Sequence, residues 1–243
     1  MSKYFIRFYP ESRFGDFSDV NGTIRFYSRV RALVEPHFTV LDIGCGRGAI
    51  AIAGTSFEKL LLIYRGQVKH VLGIDLDPVG ATNPALDEFR LIKGPKWPVE
   101  DCSVDLAFSD WTMEHVEDPA AFLRECHRVL KPGGFLCLRT ANRRGYVVAL
   151  SSLIPNRIHT KILNKVQPGR ADEDVFPTVY RCNTVGKLSH ALKALDFDAC
   201  VYGHNPEPSY LGFSYPSYAL GVLYQRFTPR SWGTTLLAYA RKK

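Results

Sequence analysis

At 243 residues, with 46% in the hydrophobic set and 23% charged, the chain is long enough for one large core and shows neither disorder-like polarity nor a fibrous repeat. The formal charge of +7 favours anionic partners in general, but the basic residues are scattered, Arg143-Arg144 and Arg241-Lys242-Lys243 being the densest clusters, which argues against a nucleic-acid partner. The N-terminus has no apolar signal segment, no run approaches the roughly 20 apolar residues of a spanning helix, and the six cysteines form no C-x-x-C pair. A cytoplasmic protein with reduced thiols and no metal is the expectation.

In chain order, Ile24, Tyr27, Val30, Arg31 and Val34 fall at helical spacing within a first helix from Ser18 to Val34. Phe38 to Ile43 reads as a buried strand, and after a glycine turn Ile50, Ala53, Phe57, Leu60, Leu61 and Tyr64 mark one helix ending near Gly66. Strands follow at Val68 to Ile74, a short one at Leu91-Ile92, then Val104 to Ser109 and Phe135 to Thr140. Between the last two lies a helix capped by Asp118, with Pro119 at its first position and Pro132-Gly133-Gly134 beyond its end. Alternating strands and helices imply an α/β, Rossmann-like, mostly parallel sheet with helices on both faces.

The alternation stops after Asn142. Residues 143–183 read as an inserted cap after strand 5, a helix resumes at Thr184 to Leu195, and Ala199 to Gly203 and Thr234 to Ala240 read as the last strands. Between them an aromatic lobe at 203–231 holds Tyr210, Phe213, Tyr215, Tyr218, Tyr224 and Phe227, suited to walling an acceptor pocket or touching a membrane surface. The expected organisation is one domain over 1–243 with its cofactor core at 38–142.

Val40-Leu41-Asp42-Ile43-Gly44-Cys45-Gly46-Arg47-Gly48 is a strand running into a glycine turn that opens a helix. Gly44, Gly46 and Ala49 satisfy the dinucleotide pattern G-x-G-x-x-G/A, so the loop by itself admits an NAD(P)-dependent oxidoreductase as well as an enzyme using S-adenosylmethionine (SAM). Asp42 favours SAM, because a carboxylate two residues before the first glycine suits an ammonium group and opposes a pyrophosphate. Asp75, at the end of Gly73-Ile74-Asp75, suits a pair of ribose hydroxyls; it lies 31 residues past Gly44, against about 20 in the dinucleotide fingerprint.

The run Val104-Asp105-Leu106-Ala107-Phe108-Ser109-Asp110-Trp111-Thr112-Met113-Glu114-His115-Val116, with Asp118 to Gly134 after it, resembles the fourth-strand region of the type 11 class I SAM methyltransferases. Together with LDIGCGRG, GIDLDP and Thr140-Ala141-Asn142, the resemblance covers roughly residues 38–142. It implies a seven-stranded sheet whose last strand is antiparallel, SAM across the strand ends, and cofactor contacts from Asp42, Gly44, Gly46 and Asp75, with Ser109 or Trp111 lining the pocket. Many relatives hold the adenine with an acidic residue after the third strand, where this chain has Lys93-Gly94-Pro95-Lys96-Trp97-Pro98.

Methyl transfer proceeds by in-line displacement, so a base is required only where the acceptor loses a proton; His115 is the candidate, ahead of Asp110 and Asn142. Ser109-Asp110-Trp111-Thr112 lacks the Asn/Asp-Pro-Pro-Tyr signature of enzymes that methylate base amines, which disfavours a nucleic-acid methyltransferase. Asp174 to Thr184 resembles a stretch of bacterial type 11 enzymes of glycan and natural-product pathways. The expected acceptor is therefore a small molecule, with an oxygen of a saccharide or secondary metabolite as the target.

Overall fold

The computed structural model describes residues 3–151 and 177–243. Seven strands, β1 (Thr39–Ile43), β2 (His70–Asp75), β3 (Glu88–Leu91), β4 (Val104–Asp110), β5 (Leu130–Ala141), β6 (Phe197–His204) and β7 (Thr235–Lys242), form one sheet of order β3-β2-β1-β4-β5-β7-β6. All neighbours from β3 to β5 are parallel, and β7 runs antiparallel to both β5 and β6. The strand order reverses between β1 and β4, so a crevice opens at their carboxyl ends.

Residue parity sends each side chain to one of two cores, because successive residues of a strand point to opposite faces. Leu41, Ile43, Leu72, Ile74, Leu136 and Leu138 pack under α5 (Pro119–Val129) and α7 (Val185–Lys193). Val40, Val71, Leu106, Phe108, Cys137 and Leu237 pack against Phe26, Tyr27 and Val30 of α2 (Gly22–Leu33) and against Tyr64. Burial on both faces explains why the strands read as nearly continuous apolar runs.

Several expected boundaries move for local reasons. The first helix starts at Gly22, because Asn21 accepts the Ile24 amide proton at 2.9 Å and stops the helix from extending back to Ser18. The helix expected from Ile50 to Tyr64 is two, α3 (Ala49–Ala53) and α4 (Ser56–Leu62): Gly54 ends the first, and a capping box of Thr55 with Glu58 begins the second. The third strand is Glu88–Leu91, earlier than Leu91-Ile92, in register with Leu72 to Asp75. A short helix α1 (Phe5–Phe8) precedes α2, a helix α6 (Tyr146–Ser151) follows β5, and α8 (Tyr215–Phe227) occupies the connection between β6 and β7. Most of the expected cap at 143–183 lies outside the described residues.

Candidate active site

Four charged residues share one sheet face at the strand ends, and parity with register puts them there. Asp42 pairs in register with Gly73 of β2 and Phe108 of β4; two residues on from these stand Asp75 and Asp110, and Asp110 is in register with Arg139. Arg139 is 3% exposed and clamps Asp110 with two hydrogen bonds, Nε to Oδ1 and Nη2 to Oδ2, each 2.6 Å. Its Nη1 donates to Thr23 Oγ1 at 2.9 Å, and Tyr27 donates its hydroxyl proton to Asp110 Oδ2 at 3.0 Å. One of the three carboxylates is thus neutralised.

Asp42 is not. Among the described residues no group donates a hydrogen bond to its carboxylate; burial, then the negative charges of Asp110 and Asp75, push its pKa well above the usual carboxylate range. Asp75 is spent on backbone, accepting from the Gly46 amide at 2.9 Å and the Asp77 amide at 2.9 Å, one on each oxygen. Each of those oxygens keeps a second lone pair.

The glycine loop is built from both sides. The amides of Gly44 and Cys45 donate to the Ile74 carbonyl at 2.8 and 3.3 Å, tying the turn to the end of β2. Gly44 and Gly48 adopt left-handed backbone with φ of 73° and 72°, and a Cβ there would lie 2.3 Å from Thr112 Oγ1 and 2.2 Å from Asn83 Oδ1. Asn83 donates from Nδ2 to the Cys45 carbonyl at 2.9 Å and braces the turn from below. At Gly46 a Cβ would meet nothing within 4 Å, so this glycine faces open space.

Ser109, expected beside the ligand, is 1% exposed and donates to the Ile43 carbonyl at 3.0 Å, where it braces the loop. Trp111 has φ of 56°, a rare conformation for a bulky residue, with its amide on the Arg139 carbonyl and its ring 5.4 Å from the Arg139 guanidinium. It lines a cavity of about 160 Å³ with Asn21, Thr23, Arg139, Glu207, Ser209 and Thr235 among the other walls. Thr112, next in the chain, is the residue against Gly44.

His115 belongs to a second polar assembly. Its Nδ1 sits 2.9 Å from the Pro177 carbonyl, an acceptor, so Nδ1 carries the proton. Glu114 is buried with Thr140 Oγ1 donating to it at 2.7 Å, and burial raises its pKa. Asn183 donates to the same Thr140 oxygen at 2.7 Å, while Asn142 is buried and donates to the Gly233 carbonyl at 2.6 Å. Trp97, in the stretch without an acidic residue after β3, is buried edge-on against Phe122 at 5.3 Å and anchors that stretch to α5.

Residue-by-residue reading passed over Arg139, Tyr27, Asn83 and Glu114. Arg139 did carry a signal, since a charged residue between Leu138 and Thr140 interrupts an apolar strand and calls for a buried partner. Asn83 carried none, because its partner at Cys45 is 38 positions away.

Residues 41–138 match the model of the type 11 methyltransferase family, described as Methyltransferase domain. Residues 41–138 are therefore similar to a methyltransferase domain. Over 135 residues it is 33% identical to a Mycolicibacterium smegmatis protein named probable S-adenosylmethionine-dependent methyltransferase, covering 53% of this chain and 47% of that one. Over 145 residues it is 31% identical to the ubiquinone biosynthesis O-methyltransferase of Caulobacter vibrioides, covering 57% and 53%. The chain thus spans about half the length of the curated relatives it matches. The S-adenosylmethionine dependent methyltransferase of Mesorhizobium loti shares the fold with a TM-score of 0.51 at 20% identity, over 88% of this chain and 96% of that one. The matched part runs from β1 into β5 and contains the loop and the three carboxylates; Arg139 stands one residue beyond it.

Proposed function

We propose that this chain is a SAM-dependent methyltransferase acting on a small hydroxyl-bearing acceptor, such as a saccharide or secondary metabolite. The observation that carries the reading is Asp42, a half-buried carboxylate facing two others, to which no described residue donates a hydrogen bond, beside a glycine that faces open space. Such a site calls for a cation, and it opposes the pyrophosphate of a dinucleotide. In this reading Asp42 holds the ammonium end of the cofactor, Asp75 accepts from its ribose with the lone pairs left over, and the amides around Gly44 and Gly46 lie under its backbone. Bound SAM supplies an electrophilic methyl on a sulfonium.

The cavity at Trp111 supports the acceptor half of the reading. It combines an aromatic face with Asn21, Glu207, Ser209 and Thr235, groups that hydrogen-bond hydroxyls, and its one arginine is already neutralised by Asp110. A neutral acceptor suits it better than a phosphorylated one. His115, whose Nδ1 donates to the Pro177 carbonyl at 2.9 Å, is the base in this reading where the acceptor must lose a proton.

Calorimetric titration with SAM, its demethylated product and NAD tests the cofactor. SAM and its product should bind and NAD should not; NAD binding without SAM binding refutes the reading. Mass spectrometry of small molecules labelled from isotopic SAM in a cell extract then identifies the acceptor, and label found only in RNA or protein refutes that half.

A further inference from the structure

Helix α8 has an apolar face on both sides. Its inner face, Tyr218, Gly221 and Val222, is buried: the Tyr218 ring lies 5.5 Å from Phe8 of α1, and a Cβ on Gly221 would be 2.5 Å from Pro208. Its outer face carries Pro216, Leu220, Leu223 and Phe227, four positions that fall within one stripe at 3.6 residues per turn. There Leu220 is 65%, Leu223 53% and Phe227 78% exposed, and Trp232 just beyond is 52% exposed. A surface helix normally turns a polar face outward, and one apolar all round is normally covered.

The charge carried by the helix and the segment after it has one sign. From Pro208 to Lys243 the sequence contains no Asp or Glu, and Arg226 and Arg230 are exposed beside Phe227 and Trp232. At the opposite end of the helix the Arg7 guanidinium of α1 lies 4.7 Å from the ring of Tyr215. Exposed aromatic and aliphatic side chains flanked by arginines are the features with which a helix lies in a bilayer interface and meets anionic headgroups.

We infer that the outer face of α8 docks this protein on an anionic lipid surface, with Leu220, Leu223, Phe227 and Trp232 entering the headgroup boundary and Arg226 and Arg230 pairing with phosphates. A second copy of this chain fits worse. A two-fold contact through the same face would bring the Arg226 and Arg230 of both copies together, with no carboxylate between 208 and 243 to offset them. The turn at 206–209 that walls the cavity runs directly into the segment packed under α8, so docking brings the cavity close to the bilayer.

The test is co-sedimentation of the full chain with vesicles of phosphatidylcholine alone and of phosphatidylcholine mixed with phosphatidylglycerol, at low and high salt. Binding is expected to the mixed vesicles, weakening with salt. The exposed triple variant Leu220→Ser/Leu223→Ser/Phe227→Ser should bind at least roughly tenfold more weakly with its melting temperature kept. Arg226→Gln/Arg230→Gln should lose roughly 30-fold on the mixed vesicles alone. No binding to the mixed vesicles, or binding that neither variant weakens, overturns the inference. So does light scattering that finds a dimer which the triple variant separates, because the face is then an interface between copies.

Discussion

Asp42→Asn should make the protein more stable and a poorer binder of SAM. The substitution keeps the side chain's size and removes a charge that burial, Asp110 and Asp75 all disfavour and that no donor among the described residues compensates. Relief of one such functional-site charge stabilises by about 0.5–2 kcal/mol, which for a chain of this size raises the melting temperature of the ligand-free protein by about 2–6 °C. The sign with pH follows from the raised folded pKa. The folded state binds the Asp42 proton more tightly than the unfolded state does, so the penalty is absent at acid pH and grows as pH rises through the folded value. The difference between variant and wild type should therefore be largest near neutrality and shrink toward pH 4. Cofactor affinity should move the opposite way, falling by about 1.5–3 kcal/mol through loss of a charged hydrogen-bond acceptor. Scanning fluorimetry across pH, with calorimetry for SAM, reads both effects. A ligand-free variant that melts below wild type at neutral pH refutes the reasoning, since Asp42 would then be a structural brace.

Gly46→Ala should cost only about 1–2 kcal/mol of backbone strain in the fold, because φ is 45° and the space above is open, yet it should weaken SAM binding by obstructing close approach; equal affinity by calorimetry would place the ligand elsewhere. Asp75→Ala should weaken SAM by about 1–3 kcal/mol with the far-ultraviolet dichroism unchanged, and unaltered affinity would discard the ribose assignment. Removing one partner of the buried pair, as in Asp110→Asn or Arg139→Met, should destabilise by about 3–5 kcal/mol in urea titration, with a smaller loss when both are replaced. His204 donates from Nε2 to the Val20 carbonyl, and burial lowers its pKa from 6.5 to about 4. Its folded pKa is depressed, so the unfolded state binds more protons between those values and stability falls as pH drops through that window, by up to about 3 kcal/mol. His204→Gln should flatten the window in denaturant titrations; an unchanged slope would show that other groups produce it.

The glycine turn, the two acidic strand ends and the run from Val104 to Gly134 were legible because each is a local pattern. Asn83 under the loop, Ser109 turned to the Ile43 carbonyl and the split of one helix at Gly54 were not, since each answers to a contact or cap that periodicity does not encode. The boundaries of β3 likewise follow from pairing with β2, and a strand this short carries too few residues to declare its own limits.

The sequence by itself determined that Asp42 and Asp75 would stand at strand ends, because alternation and glycine turns are properties of the backbone and its nearest neighbours. Only the tertiary structure decided that they share a face with Asp110 and Arg139, that Arg139 is committed to Asp110, and that Asp42 is left without a donor among the described residues. Strand order and register bring together residues up to about a hundred positions apart, and the charge balance of the site is a sum over that assembly, which no stretch of the chain contains.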